Sequence, residues 1–205
     1  HETTFVGPAM RKTPGLRWGD GTWSGFDWVQ HEMVEADLER WAAMGAGVGI
    51  RTGFGGLVLI DADALERTHA DTVRAVVAEH FGPLTERIGR PPKAGYLVRC
   101  HDTEALAGGR VEFGERNAKG RQPNRVELLA ASKFFVAHGV HPVTLQPYLW
   151  PGGVPPLAEV PETSAAALMA FPPLAYLLNS LLTGLNFLKD TPLVAVQEKV
   201  LAHWF

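Results

Sequence analysis

The order of elements in this 205-residue chain predicts an α+β fold with one main sheet. Strand-like segments interleaved with two helices come first, and helical segments follow. Residues 57–60 form a continuous, partly β-branched apolar run, which is typical of a buried central strand. With 46% hydrophobic and 20% charged residues, the chain has the composition of a folded protein that buries its own core.

Apolar spacing predicts two helices in the first half of the chain, over residues 35–44 and 64–80. Glycines at 45 and 82 follow the two periodic segments and end them. The residues expected to face the core are Leu38, Trp41 and Ala42 in the first helix and Leu65, Val73, Val76 and Val77 in the second.

Four further strands are predicted at 48–50, 96–99, 126–129 and 134–137. Residues 101–123 are charged and glycine-containing, which predicts a long loop or hairpin, and long loops in compact domains are often functional. Residues 142–161 predict a β-edge followed by a linker.

The change of character near residue 155 predicts a main domain over 1–155 and a helical segment over 156–205, which either packs on the core or links to a further domain. Thr191 before Pro192 is the pattern of an N-cap, and it opens a helix to about residue 204. Residues 163–188 carry no charge and are long enough to span a bilayer, but Pro172-Pro173 interrupts them. We therefore expect a core or interface helix there, and no membrane partner.

The cysteine count and the distribution of charge exclude some classes of function. The single cysteine, Cys100, excludes an internal disulfide framework and a multi-cysteine zinc site, and it fits a reducing, cytoplasmic compartment. The net charge of −3 argues against a surface coated uniformly for nucleic acid. Residues 87–125, however, contain nine basic and four acidic residues, a local charge of +5. This segment could hold a triphosphate or a nucleic-acid backbone, or it could be a solvated loop.

Two carboxylates end the predicted central strand. Asp61 and Asp63 point to the same side because strand residues two apart share a face, and two like charges are costly without a cation between them. Hard ions such as Mg²⁺ prefer such oxygens. The alternative is that Asp63 caps the following helix. Glu127 is a third acid, unusual in its apolar strand; the alternatives are that it pairs with an arginine or faces solvent.

Histidines add little on their own. His138 and His141 are three residues apart, but without further cysteine or histidine ligands they are a weak zinc signal. His141 is expected either to make a polar contact at the catalytic sheet or to be a satisfied structural histidine.

Five strings occur in order along the chain, at residues 49–53, 56–63, 87–93, 125–129 and 135–142. The first two resemble the opening of the primase–polymerase domain of the archaeo-eukaryotic primase superfamily, found in phages, plasmids and prophages. The other three resemble a prophage branch of that superfamily. The resemblance covers about residues 10–151.

The resemblance implies a primase-type catalytic core, with an RNA-recognition-motif-like sheet, a small N-terminal α/β unit and C-terminal helices after it. It implies template-directed nucleotidyl transfer with Mg²⁺ or Mn²⁺, with a DNA template and primer and an NTP or dNTP as partners, and a helicase domain or protein as a candidate partner. Asp61 and Asp63 match the first metal-binding acids, and Glu127 matches the third, which is usually an aspartate.

One motif of the family is missing, because no histidine stands in the strand at 94–99. Lys93, Arg99 or His141 could take its role, or activity could be lowered. The residues expected to bind the nucleotide are Arg51, Thr52, Lys93, Arg99 and His141. Those expected to bind DNA are Arg110, Arg116, Lys119, Arg121 and Arg125.

Two other functions are compatible with the sequence. Nucleotide-sugar transferases also use a D-x-D pair to hold a metal and a diphosphate, although they need neither Glu127 nor the basic segment. A nucleic-acid-binding module that has lost activity would explain the missing histidine. Metal-dependent extension of a primed template separates the three.

Overall fold

The computed structural model describes residues 2–5, 14–17, 19–20, 22–25, 27–106, 109–114 and 124–171. They form an α+β fold, as the sequence predicts. In chain order the elements are β1 (Glu2–Phe5), β2 (Gly15–Arg17), β3 (Trp23–Gly25), α1 (Glu35–Ala43), β4 (Gly47–Arg51), β5 (Leu57–Asp63), α2 (Arg67–Phe81), β6 (Glu86–Arg87), β7 (Ala94–Arg99), β8 (Arg110–Phe113), β9 (Asn124–Leu129) and β10 (Phe134–His138).

The main sheet has five antiparallel strands in the order β6-β7-β5-β9-β8, with the predicted buried strand β5 at its centre. Val58, Leu59 and Ile60 are fully buried, because both faces of this strand are covered where they lie. A second sheet, β1-β4-β10, joins N-terminal strands to β10, and β2 pairs with β3.

One face of the main sheet packs on α2. Val58 and Ile60 from β5 share a hydrophobic cluster with Val73 and Val77 from the helix. Leu168 and Phe171 are also fully buried in this cluster, so the helical residues 165–171 pack on the core. The division at residue 155 stays a prediction, and the helix predicted from Thr191 lies outside the described residues.

The other face of the main sheet is only half covered. Leu57, Leu59 and Leu97 pack against Phe135 and its neighbours in β10, so the smaller sheet lies over this half. The same strands become charged over the remaining half, which positions the candidate site described below.

Both predicted helices exist, but three of the predicted core residues are exposed. Leu38 is 39% exposed and Ala42 is exposed, while Asp37 is buried, because its carboxylate accepts the Val34 N–H and pairs with His31. Leu65 is 45% exposed, since β5 continues through Asp63 and α2 begins only at Arg67.

The late start of α2 also rules out the alternative that Asp63 caps this helix. The Leu65 N–H donates to the buried Asn124 side chain at 2.8 Å, which holds the connecting residues outside the helix. Glu66 occupies the N-cap position, without a side-chain cap, so Asp63 does not cap α2.

Part of the predicted loop at 101–123 is a hairpin arm. β8 pairs with β9, and Phe113 at its end is fully buried. This strand is short and alternates charged with apolar residues, so its apolar content alone gives little sign of it. Within the described residues, no helix has the length and apolar character that a membrane crossing requires. Residues 172–188 of the uncharged stretch lie outside them.

We expect Gly53→Ala to destabilise the fold by about 1–3 kcal/mol. Gly53 has a φ of 87°, where glycine is favoured, and a Cβ there would lie 2.8 Å from the Cα of Ala131. Urea unfolding measures the change. Gly152→Ala is the matched control, because a Cβ at Gly152 meets nothing within 4 Å; equal losses in both variants would contradict this account.

Candidate active site

The uncovered half of the main sheet carries two transverse rows of charged residues. Strand residues directly opposite each other share a face, so the register defines each row. The first row, from β8 to β6, is Arg110, Glu127, Asp61, Gly95 and Arg87.

The second row lies one step further along the same face. It is Glu112 in β8, Arg125 in β9, Asp63 in β5 and then Lys93, which directly precedes β7. Acids and bases alternate along this row. The sheet therefore brings the acids of β5, β8 and β9 together with bases from the segment 87–125 of the sequence.

A pocket of about 240 Å³ lies over the two rows. Its floor includes Asp61, Asp63 and Glu127, the three acids singled out from the sequence. The other charged or polar side chains that line it are Arg87, Arg90, Lys93, Arg125, His141 and Tyr148. Phe134, Phe135 and Val136 of β10 form an apolar wall. The pocket thus combines both signs of charge with one apolar side.

Basic side chains compensate the acids of the pocket. Asp63 bridges two of them, with one oxygen 2.9 Å from Lys93 Nζ and the other 2.8 Å from an Arg125 nitrogen. Glu127 lies 3.9 Å from Arg125 Nε and 3.9 Å from Lys133 Nζ. The alternative that Glu127 pairs with an arginine is therefore confirmed, at the long end of ion-pair distance.

The three carboxylates of the pocket are nevertheless of the kind that bind a divalent ion. Asp61 stands opposite Glu127, and Asp63 shares the face, so three hard carboxylates line one pocket on adjacent strands. Across the described residues, no three histidine, cysteine, aspartate or glutamate side chains are already gathered into a metal-binding group. Metal binding would therefore exchange the contacts of Asp63 with Lys93 and Arg125 for contacts with the ion.

His141 lines the pocket and is only 5% exposed. Its Nδ1 accepts hydrogen bonds from the backbone N–H groups of Val143 and Thr144, both at 3.3 Å. Because Nδ1 accepts, the neutral ring carries its proton on Nε2, which makes that atom a donor. His141 also packs edge-on against Tyr148, with ring centroids 5.5 Å apart. His138 ends β10 and does not line the pocket.

Arg87 is a pocket residue that sequence reasoning did not select. It is 8% exposed, its Nε donates to the Val136 carbonyl, and its guanidinium lies 4.3 Å from the Tyr148 ring centroid. Burial lowers the pKa of Arg87, while the nearby Tyr148 and Asp61 counteract that shift. Arg87 lies in a two-residue strand, which is too short for periodicity to reveal; its signals in the sequence were its places in the basic segment 87–125 and in the 87–93 string.

Three of the residues predicted to bind the nucleotide do not line this pocket. Thr52 is buried and its hydroxyl donates to the Ala130 carbonyl. Arg51 ends β4 opposite Phe134. Arg99 pairs with Glu162 at 3.0 Å, at the far end of β7, about 16 Å along the strand from Ala94.

Arg110 lies in the first row but beyond the pocket, where it pairs with Glu112. The other predicted DNA-binding residues fall into two groups. Arg125 lines the pocket. Arg116, Lys119 and Arg121 lie outside the described residues.

Comparison with protein-family models identifies the domain. The model described as "Bifunctional DNA primase/polymerase, N-terminal" matches residues 7–163, which include every residue of the pocket. A search of curated proteins finds no significant match. The match does not extend to a helicase partner, which stays a prediction. Because the match covers most of the sequence, the chain belongs to the bifunctional DNA primase/polymerase N-terminal family.

Proposed function

We propose that this protein is a DNA primase/polymerase that joins nucleotides on a DNA template by metal-dependent nucleotidyl transfer. Membership of the primase/polymerase family supports this class of chemistry. The observation that carries the proposal is the pocket in which Asp61, Asp63 and Glu127 meet four basic side chains. Polymerisation needs acids to hold metal and bases to hold phosphate, and this pocket supplies both.

The proposed metal ligands are Asp61, Asp63 and Glu127, with Mg²⁺ or Mn²⁺ as the ion. When bound, divalent ions activate the attacking hydroxyl and neutralise the leaving pyrophosphate. Lys93 and Arg125, which pair with Asp63, are proposed to bind the triphosphate once Asp63 turns to the ion. His141 presents an N–H donor on the pocket wall for a phosphate oxygen. Arg51, Thr52 and Arg99 have no place in this arrangement of the pocket.

The template and primer are proposed to lie beside the β8 edge of the sheet. Arg110 in β8 and Arg125 in β9 stand on the pocket face, next to the segment that carries Arg116, Lys119 and Arg121. Phosphate contacts by such residues position a duplex without reading its sequence. The likeness to prophage sequences supports a role in replication of a phage, plasmid or prophage.

We expect the combined variant Arg116→Ala, Lys119→Ala and Arg121→Ala to weaken DNA binding and to flatten its salt dependence. Each lost phosphate contact lowers the slope of log affinity against log salt by about 0.7–0.9, so three contacts remove about 2–3. Fluorescence anisotropy with a labelled primed template over a salt series measures the slope. Arg67→Ala on α2, on the opposite side of the sheet, is the control. An unchanged slope would contradict the DNA-binding role of these residues.

The function is tested by incubating the protein with a primed DNA template, labelled nucleotides and Mg²⁺ or Mn²⁺. Template-dependent products that vanish with chelator support the proposal. Salt-sensitive DNA binding without any product would favour a binding module. Hydrolysis or transfer of a labelled UDP-sugar in a parallel reaction would favour a nucleotide-sugar transferase.

A further inference from the structure

Arg87 is a buried cation for which the described residues offer no carboxylate at ion-pair distance. A buried charge is costly unless it is paired, so structural arginines usually bond a carboxylate or several carbonyls. Arg87 has one such bond, from Nε to the Val136 carbonyl. Its guanidinium otherwise contacts aromatic rings, 4.3 Å from the centroid of Tyr148 and 5.8 Å from that of Phe135.

This arrangement holds the arginine in place on the wall of the pocket that it lines. The Nε bond and the two rings hold the plane of the guanidinium, which lowers the entropy lost when it binds a ligand. The two terminal nitrogens carry donors in the fork geometry that matches phosphate oxygens in pairs. Arg87 therefore resembles a prepared anion-binding group more than a structural ion-pair partner.

Two neighbours complete the same corner of the pocket. The Tyr148 hydroxyl is buried and lies near Arg87, but it makes no hydrogen bond of good geometry with any described group. The Nε2–H of His141 is a further donor, as shown above. The corner thus combines a cation with a phenol and an imidazole, and the nearby Asp61 and Asp63 counteract the lowering of the Arg87 pKa by burial.

Gly89 allows this corner to pack. A Cβ at Gly89 would lie 2.8 Å from Cδ1 of Tyr148 and 3.3 Å from Cδ2 of His141. A side chain there would push both rings out of their places. The segment from Arg87 to Gly89 therefore supplies the cation and also the space for the ring that orients it.

We propose that Arg87 binds the polyphosphate of the incoming nucleotide and fills the role left by the absent family histidine, with Tyr148 as the residue that positions its guanidinium. This inference rests on the proposed function for the identity of the ligand, a nucleoside triphosphate. It assigns phosphate binding to a residue outside the strand at 94–99, where the family pattern places the histidine. Lys93 and Arg125 lie in the other charged row, beside Asp63, so Arg87 would contact the polyphosphate at a different position from these two bases.

The test is equilibrium binding of inorganic tripolyphosphate to the metal-free protein, measured by calorimetry. Arg87→Gln is expected to weaken binding about 10- to 100-fold, the usual effect of losing charge-assisted hydrogen bonds. Tyr148→Leu removes the ring and is expected to weaken binding about 2- to 30-fold, and Tyr148→Phe, which keeps the ring, by less. In extension assays Tyr148→Leu should raise the KM for nucleotide by the same factor and leave kcat unchanged.

Arg74→Gln is the matched control, because Arg74 lies on α2 at the other face of the sheet and pairs with Glu86 and Asp71. If Arg87→Gln fails to fold, Arg87→Lys and the side-chain N–H resonance of Arg87 in the unaltered protein replace it. We expect that resonance to shift on adding tripolyphosphate, while the resonance of Arg74 stays.

The outcomes separate the two proposals. Arg87-dependent tripolyphosphate binding in a protein that makes no DNA would keep this inference and reject the polymerase function. DNA synthesis with tripolyphosphate affinity unchanged in Arg87→Gln would do the reverse. Absence of tripolyphosphate binding in the unaltered protein, or no shift of the Arg87 resonance, would overturn the inference.

Discussion

Asp61→Asn is expected to reduce nucleotide incorporation by about a thousandfold while leaving the protein folded. Asp61 lies on the central strand, opposite Glu127 and in the pocket with Asp63. The amide has nearly the shape of the carboxylate but lacks its charge, so the divalent ions would lose a ligand. Metal ions contribute several kcal/mol of transition-state stabilisation, and each 1.36 kcal/mol changes a rate tenfold.

Single-nucleotide extension of a primed template with Mn²⁺ measures this loss, and thermal unfolding shows that the fold survives. Asp71→Asn on α2 is the control, since Asp71 is half-exposed, pairs with Arg74 and lies on the other side of the main sheet. Extension by Asp61→Asn at the rate of the unaltered protein would refute the metal assignment. A parallel loss in Asp71→Asn would point to unfolding as the cause.

Leu59→Ala is expected to lower the free energy of unfolding by about 2–5 kcal/mol. Leu59 is fully buried where the smaller sheet covers the main one, in a cluster with Leu97 and Phe135. Removing its side chain leaves a cavity between the two sheets. Each sheet is held rigid by its own backbone hydrogen bonds, so the two sheets cannot move together to fill the cavity. Domains are usually stable by only about 5–15 kcal/mol, so this one cavity would remove a large part of the total.

Chemical denaturation of the purified domain measures this change. Leu38→Ala is the matched control, because it deletes the same atoms from a residue that is 39% exposed on α1. We expect that control to change stability by about 0.5 kcal/mol or less. A large loss in Leu38→Ala, or a small one in Leu59→Ala, would contradict the packing described for the two sheets.

The three acids could be found from the sequence because their signal is local. Asp61 and Asp63 continue an apolar run with the period of two that a strand imposes, and Glu127 is conspicuous within an apolar segment. That Asp61 faces Glu127 across two strands required the register. Register depends on which strands pair, and 66 residues of chain separate these two acids.

The basic residues show the limit of sequence reasoning more clearly. Charge counting placed a positive segment between the acidic strands, but it could not say which arginines face the pocket. Arg99 and Lys93 flank the same strand, yet Lys93 reaches Asp63 and Arg99 reaches Glu162. The hydroxyl of Thr52, another candidate, donates a hydrogen bond to a backbone carbonyl 78 residues away. These outcomes follow from the length of β7 and from packing that no local pattern records.

The sequence by itself determined the α+β class, the buried central strand and the three acids, because burial and strand periodicity act between neighbouring residues. The tertiary structure decided the two charged rows, the pairing of Asp63 with two bases and the place of Arg87 between Tyr148 and Phe135. Most of these contacts join residues that are 30 or more positions apart in the chain; the exceptions are the strand pairings within single hairpins. The long-range contacts form only when the whole sheet closes over its core.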